Sequence, residues 1–264
     1  MFTIDKYIVA ESLEQAYELN KSKRNVIIGG MLWLRMGRKR IQNAIDLSSL
    51  GLNTIEEDKD SFKIGCMCTL RDLETHESLN KSFDSVFYKI TKHIVGVQMR
   101  NLATIGGSIY SRFGFSDILT ALLSLDCYVE LYKGGIIPIS EYVDMPLNND
   151  ILVKIIINKD GRKIAYKSHR MSATDLPVLN CAVAKKENEW FVVIGARPMK
   201  SKLASFCLSE NFSKADIDKA VFEIINNMSF GTNIRGSKEY RRILADVLIK
   251  RSIDEIINGG YYAN

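Results

Sequence analysis

Arg100-Asn101-Leu102-Ala103-Thr104-Ile105-Gly106-Gly107-Ser108-Ile109 is the stretch whose reading settles the fold. Its two glycines sit within an apolar, β-type run, and a second pair, Ile28-Gly29-Gly30-Met31, directly follows the apolar run Asn25-Val26-Ile27-Ile28. A Gly-Gly turn lets backbone N–H groups approach an anion with no Cβ in the way, so two such turns could grip a pyrophosphate from both sides. Gly-Gly after a strand is also an ordinary tight turn, the reading that suits Gly134-Gly135 and Gly259-Gly260. Taken alone, the glycines leave both readings open.

The rest of the chain alternates strand and helix signals. Ser12-Leu13-Glu14-Gln15 fits a capping box and opens a helix to about Asn20. Residues 41–47 and 62–66 read as strands, 69–75 as the start of a second helix, 82–93 as one continuous helix and 117–125 as another. Two β-rich runs, 127–132 and 136–139, join at Lys133-Gly134-Gly135, a hairpin signal. Past residue 150 the runs 151–157, 163–168, 179–184 and 190–195 read as a meander, and helices over 213–228 and 238–257 close the chain. The last helix carries Tyr240, Ile243, Leu244, Val247 and Leu248, the spacing of a single buried face. The expected architecture is α+β, with an α/β region in residues 1–160 and a smaller strands-then-helices lobe in 161–264.

Composition narrows the function. With 264 residues, 46% of them hydrophobic and 25% charged, the chain has the make-up of a folded globular protein. A net charge of +5 arises from scattered Lys and Arg among nearly as many acids, which gives nucleic acid little to bind. No apolar signal core opens the sequence and no apolar run approaches bilayer length, so a cytoplasmic protein without membrane insertion is expected. Cysteines 66, 68, 127, 181 and 207 match no disulfide framework and no cluster-ligand spacing, and no metal site is expected. There is no G-x-G-x-x-G and no G-x-S-x-G, and His76, His93 and His169 stand far apart.

The first-quoted stretch, with Asp117 beyond it, closely resembles the R-N-x-A-T-I-G-G-N-I … D segment of the molybdopterin dehydrogenase FAD-binding family, the flavoprotein subunits of xanthine dehydrogenase and carbon monoxide dehydrogenase type. Val26-Ile27-Ile28-Gly29-Gly30 resembles the family's first glycine turn, and Ser172-Ala173-Thr174-Asp175-Leu176-Pro177, Gly195-Ala196-Arg197-Pro198 and Tyr240-Arg241-Arg242-Ile243-Leu244 resemble later segments. The resemblance implies a two-lobed α/β FAD-binding domain of the PCMH, vanillyl-alcohol-oxidase-like kind in residues 1–160, with lobes of about 1–57 and 58–160. A C-terminal domain of small antiparallel sheet and helical bundle would follow in 161–264.

Carried over position by position, Val26, Ile27, Ile28, Gly29, Gly30, Met31, Leu32 and Trp33 would form the first FAD loop, and Thr104, Ile105, Gly106, Gly107 and Ser108 the second. Amides and the Thr104 and Ser108 hydroxyls would bind the pyrophosphate. Asp117 matches a carboxylate that binds the cofactor, Leu152 and Lys167 match positions near the flavin ring, and Ile94 matches one that is aromatic in some relatives. Met31 and Leu32 replace a polar pair, and restoring Thr at 31 is expected to strengthen binding. No catalytic side chain is implied. The resemblance further implies an electron-transfer subunit partnered by a 2Fe-2S subunit and a molybdopterin subunit, with NAD+ or another final acceptor. Two rivals are a flavin-free assembly subunit and a self-contained FAD oxidase.

Overall fold

The protein is described by a computed structural model covering residues 2–259, so Gly260 of the closing glycine pair lies outside the described residues. The chain is α+β and divides into two compact units. Unit 1 comprises Met1–Leu73, Gly96–Ser111 and Cys127–Asn158, and unit 2 comprises Glu74–Val95, Arg112–Asp126 and Lys159–Asn264. The chain last changes unit between Asn158 and Lys159, and Glu74–Val95 and Arg112–Asp126 cluster with the C-terminal segment.

Unit 1 opens with β1 (Thr3–Val9), α1 (Leu13–Asn20), β2 (Asn25–Ile28) and β3 (Arg40–Asp46), whose strands form a parallel sheet in the order β1-β3-β2. Ser12 caps α1, its hydroxyl accepting from the Gln15 N–H at 3.1 Å, while Gln15 accepts from Glu11, one residue before the cap. β1 escaped the sequence reading because most of its side chains are exposed and its middle is Asp5-Lys6, so it lacks a hydrophobic face. Ile28, Ile41 and Ala44 form a small core here, with Val26, Met31 and Leu34 packed against it.

The chain continues through β4 (Ile55–Glu57), β5 (Ser61–Gly65), α2 (Leu70–Thr75), α3 (Glu77–Ser82), α4 (Val86–Thr91), α5 (Val97–Arg100), α6 (Ile105–Tyr110) and α7 (Asp117–Leu122). Then come β6 (Cys127–Leu131), β7 (Gly135–Pro138), α8 (Ile139–Asp144) and β8 (Leu152–Asn158). Five of these strands make an antiparallel sheet ordered β4-β5-β8-β6-β7. β8 therefore does not join the C-terminal meander. Its Ile155 and Ile157 are fully buried and it is paired along both edges, and a central strand reads as a near-continuous apolar run whichever sheet it serves. The expected hairpin is present, with Gly135 at φ +70°.

Unit 2 is built on β9 (Lys163–His169), β10 (Leu179–Lys186), β11 (Glu189–Gly195) and β12 (Lys202–Cys207), an antiparallel sheet ordered β12-β11-β10-β9. α9 (Lys214–Asn226) and α10 (Lys238–Asn258) complete it, and Trp190, Val192, Cys181 and Val183 pack with Val221 and Ile249 in its core. The continuous helix expected over 82–93 is broken, because Asp84 (φ +49°) and Ser85 (φ +58°) turn left-handed between α3 and α4, and the Asp84 carboxylate accepts the Ile164 N–H at 2.9 Å. The buried stripe of α10 is Arg241, Ala245, Leu248, Ile249, Ser252 and Ile253, whereas Tyr240 is 40% and Ile243 63% exposed. The buried face thus lies about one position on from the expected stripe, and its first member is the charged Arg241, which no apolar spacing marks. Its guanidinium is fully buried and donates to the Val178, Gly231 and Gly236 carbonyls and to Asn233.

Candidate functional site

Unit 1 brings the two glycine pairs together. β2 ends at Ile28 and the chain turns through Gly29-Gly30 against the segment that leads into α6. A Cβ on Gly30 would stand 1.8 Å from the Leu102 carbonyl oxygen, and one on Gly29 would stand 2.6 Å from Thr104 Oγ1. The first turn is therefore glycine because another backbone crosses it. None of Gly29, Gly30, Gly106 and Gly107 has a positive φ, so close approach and not handedness sets their identity.

The second pair does not lie in a β-type turn as its neighbours suggest. Gly106 and Gly107 form the first turn of α6, with Thr104 as its cap, accepting the Gly107 N–H at 3.2 Å. Just upstream, the chain runs as a strap beside residues 66–70, where Ala103 accepts from the Leu70 N–H at 2.8 Å and Ile105 donates to Cys68 at 2.9 Å. Gly106 donates to the Cys66 carbonyl at 2.9 Å, and a Cβ there would stand 2.6 Å from that oxygen. Ser108 donates both its N–H, at 3.1 Å, and its hydroxyl, at 3.0 Å, to the Thr104 carbonyl. The amides of Ile105, Gly106, Gly107 and Ser108 are thus spent within the fold. By contrast, among the described residues the N–H groups of Gly29, Gly30, Met31 and Leu32 have no hydrogen-bond partner. The donor set available to an anion belongs to the first turn, with the Thr104 hydroxyl proton beside it.

A cavity of about 350 Å³ opens along β2 and is lined by Val26, Ile27, Ile28, Gly29, Thr104 and Leu152, with Gly106 and Gly107 at its wall. In the sheet order β1-β3-β2, β2 is an edge strand, and edge strands leave backbone groups unpaired. Leu152, which the resemblance would put near a flavin ring, lines this cavity. Met31, Leu32 and Trp33 continue the first loop away from the lining, Trp33 being 48% exposed. Sequence reasoning missed the segment 149–151, which closes the cavity: Asn149 donates to the Lys21 carbonyl at 3.1 Å and accepts from Asn20 at 2.7 Å, and Asp150 accepts the N–H groups of Gly134 and Ile151, each at 2.8 Å. Its signal was the polar Asn148-Asn149-Asp150 turn before an apolar strand. Cys66 also lines the cavity; burial pushes its thiol up to about 12 and that of Cys68 up to about 11, so both stay protonated packing groups.

Met31 sits at φ +54°, a left-handed conformation that costs a side-chain-bearing residue about 1–2 kcal/mol. This reverses one sequence expectation. Threonine, being β-branched, is the poorer choice at such a position, so Met31→Thr should gain no affinity. Met31→Asn, which tolerates this region and adds a polar group, should hold or raise thermal stability and ligand affinity, both measurable by calorimetry.

The other three expected site residues belong to unit 2. Ile94 is half-buried. Lys167 pairs with Glu255, which also takes Lys89 at 2.8 Å; burial alone would raise Glu255, but the two lysines hold its carboxyl below the usual value. Asp117, 5% exposed, accepts from Arg170 at 2.6 Å, from Asn180 at 3.0 Å and from the Tyr166 hydroxyl. Burial, then the neighbouring carboxylate, push the Tyr166 hydroxyl well above its ordinary range and keep it a donor. Both Asp117 oxygens are thereby engaged inside unit 2.

Residues 2–159 match the family described as the FAD binding domain in molybdopterin dehydrogenase. Among curated proteins, YgfM of Escherichia coli (strain K12), itself uncharacterized, is 27% identical over 254 residues, 93% of this chain and 94% of that protein. The glyceraldehyde dehydrogenase medium chain of Sulfolobus acidocaldarius is 24% identical, covering 95% of this chain and 97% of its own. Among solved structures, a chain of carbon monoxide dehydrogenase from Hydrogenophaga pseudoflava superposes with a TM-score of 0.84 at 20% identity, over 96% of this chain and 97% of that one. A chain of quinoline 2-oxidoreductase from Pseudomonas putida 86 does so with 0.85 at 17%, over 97% and 98%. These structural likenesses establish a shared α+β fold.

Proposed function

Since the chain belongs to the family of FAD-binding domains of molybdopterin dehydrogenases, we propose that it is the electron-transfer subunit of a heteromeric molybdenum hydroxylase. In that role it takes electrons from a 2Fe-2S partner subunit, itself supplied by a molybdopterin subunit, and passes them to NAD+ or another acceptor. The observation that carries the reading is the first glycine turn: backbone donors without internal partners, kept open by glycines at which any Cβ would collide, at the end of a cavity beside Thr104. That arrangement suits a pyrophosphate, which distinguishes FAD from FMN.

Bound FAD supplies the redox chemistry, accepting electrons and releasing them to an acceptor. The chain's own residues do the positioning. The Gly29 and Gly30 amides would hold the phosphates, the Thr104 hydroxyl would add a donor, and the buried side chains of Ile28 and Leu152 would supply an apolar wall. The names of relatives as a dehydrogenase medium chain, a dehydrogenase complex subunit and a hydroxylase medium subunit support a place in an assembly.

The full chain, expressed with the products of neighbouring genes, is expected to purify yellow, with FAD released intact by mild denaturation, in a complex holding iron–sulfur and molybdenum. A colourless protein in a stable complex would favour the flavin-free assembly subunit. A yellow monomer that oxidises an organic substrate unaided would favour the self-contained oxidase.

A further inference from the structure

Parallel strands β2 and β3 begin at the same edge of their sheet, and the chain enters each through a basic stretch: Lys21-Ser22-Lys23-Arg24 before β2, and Arg35-Met36-Gly37-Arg38-Lys39-Arg40 leading into β3. The pairing joins the two stretches, since the Gln42 N–H donates to the Arg24 carbonyl at 2.9 Å, and Lys23 and Lys39 both line the cavity. Two of these cations are neutralised, Lys21 by Glu18 at 2.5 Å and Arg40 by Asp5 at 3.2 Å. Among the described residues, Lys23, Arg24, Arg35, Arg38 and Lys39 are exposed and form no ion pair. The acid among the lining residues is Asp150, whose oxygens hold backbone N–H groups.

Like charges gathered on one edge repel, and among the described residues no ion pair offsets the charge of these five. Lys23 and Lys39 bring that charge to the cavity lining, and cations within about a Debye length, roughly 8–10 Å, raise the local concentration of an anion. We propose that Lys23 and Lys39, extended by Arg24, Arg35 and Arg38, form an electrostatic collar that speeds capture of a polyanionic ligand by the cavity, the amides of the first turn then holding it. On the reading given above, which this inference rests on, the ligand is FAD. The collar acts on the rate of entry; the glycine turn sets the lifetime of the complex.

The test is stopped-flow flavin fluorescence on the full-length apoprotein, with FAD and uncharged riboflavin as probes. For the wild type, the FAD association rate should fall steeply with added salt, and the riboflavin rate should not. Lys23→Glu with Lys39→Glu should slow FAD association about tenfold at low salt and flatten its salt dependence, with the dissociation rate changed less than about twofold. The double glutamine variant should fall between, and Lys81→Glu, a charge reversal in unit 2, should match the wild type. An unchanged association rate in the double glutamate variant, or a loss carried by faster dissociation, overturns the collar while leaving FAD binding intact. Failure of the wild type to bind FAD at any ionic strength removes the FAD reading and the collar with it.

Discussion

Gly30→Ala is expected to weaken FAD binding about 100-fold, whereas Gly107→Ala should change it little. The added methyl at 30 would stand 1.8 Å from the Leu102 carbonyl oxygen and 2.4 Å from its carbon, both backbone atoms that cannot rotate away. The two loops would have to part, at an overpacking cost of about 3 kcal/mol, which corresponds to about two decades in affinity if it falls on the ligand-bound loop geometry. At 107 the nearest atom is Thr104 Oγ1 at 3.2 Å, a side-chain atom that can give. Titration of the apoprotein with FAD, alongside denaturation in its absence, separates the two ways the strain can appear. Equal losses at 30 and 107, or none at 30, would show that the crossing of the first turn and the strap does not shape the site.

The second large effect lies in unit 2. Asp117 and Arg170 form an ion pair whose side chains are 6% and 8% exposed. Burial alone would lower Arg170, yet the Asp117 carboxylate outweighs it and raises the guanidinium above its ordinary value. Removing one partner leaves the other charged in a dry site, so Asp117→Ala should cost about 3–5 kcal/mol of stability, read as a lower urea midpoint at unchanged slope. Adding Arg170→Met to that variant should restore most of the loss, because the unpaired charge is then gone. A double variant no more stable than Asp117→Ala would move the cost from the ion pair to the hydrogen bonds that Asp117 takes from Tyr166 and Asn180.

The parts of the fold that the sequence made legible share a physical character. β2, β8, β10 and β11 are buried, and their apolar runs stand out at any register. β1 and β12 are mostly exposed or half-exposed strands, paired on one side, and left no such mark. The sheet to which β8 belongs was not legible, since an apolar run such as Ile155-Ile156-Ile157 marks a strand but carries no sign of its neighbours. At the site, both glycine pairs were visible, but not their division of labour. Whether Gly106 offers its amide to a ligand or to Cys66 depends on a contact spanning 40 positions of sequence, and local spacing carries no trace of it.

The sheet order β4-β5-β8-β6-β7 also has a consequence for synthesis. The strand made last sits in the middle. As the chain leaves the ribosome, β5 is complete at Gly65 and β6 at Leu131, but neither can pair across the gap until Leu152–Asn158 emerges. At ordinary elongation speeds β5 waits on the order of ten seconds with the backbone N–H and C=O groups of one edge unpaired. Over that interval the nascent half-sheet is a substrate for chaperones or for a neighbouring nascent chain, so yield on overexpression should depend on translation speed more than on the stability of the finished molecule.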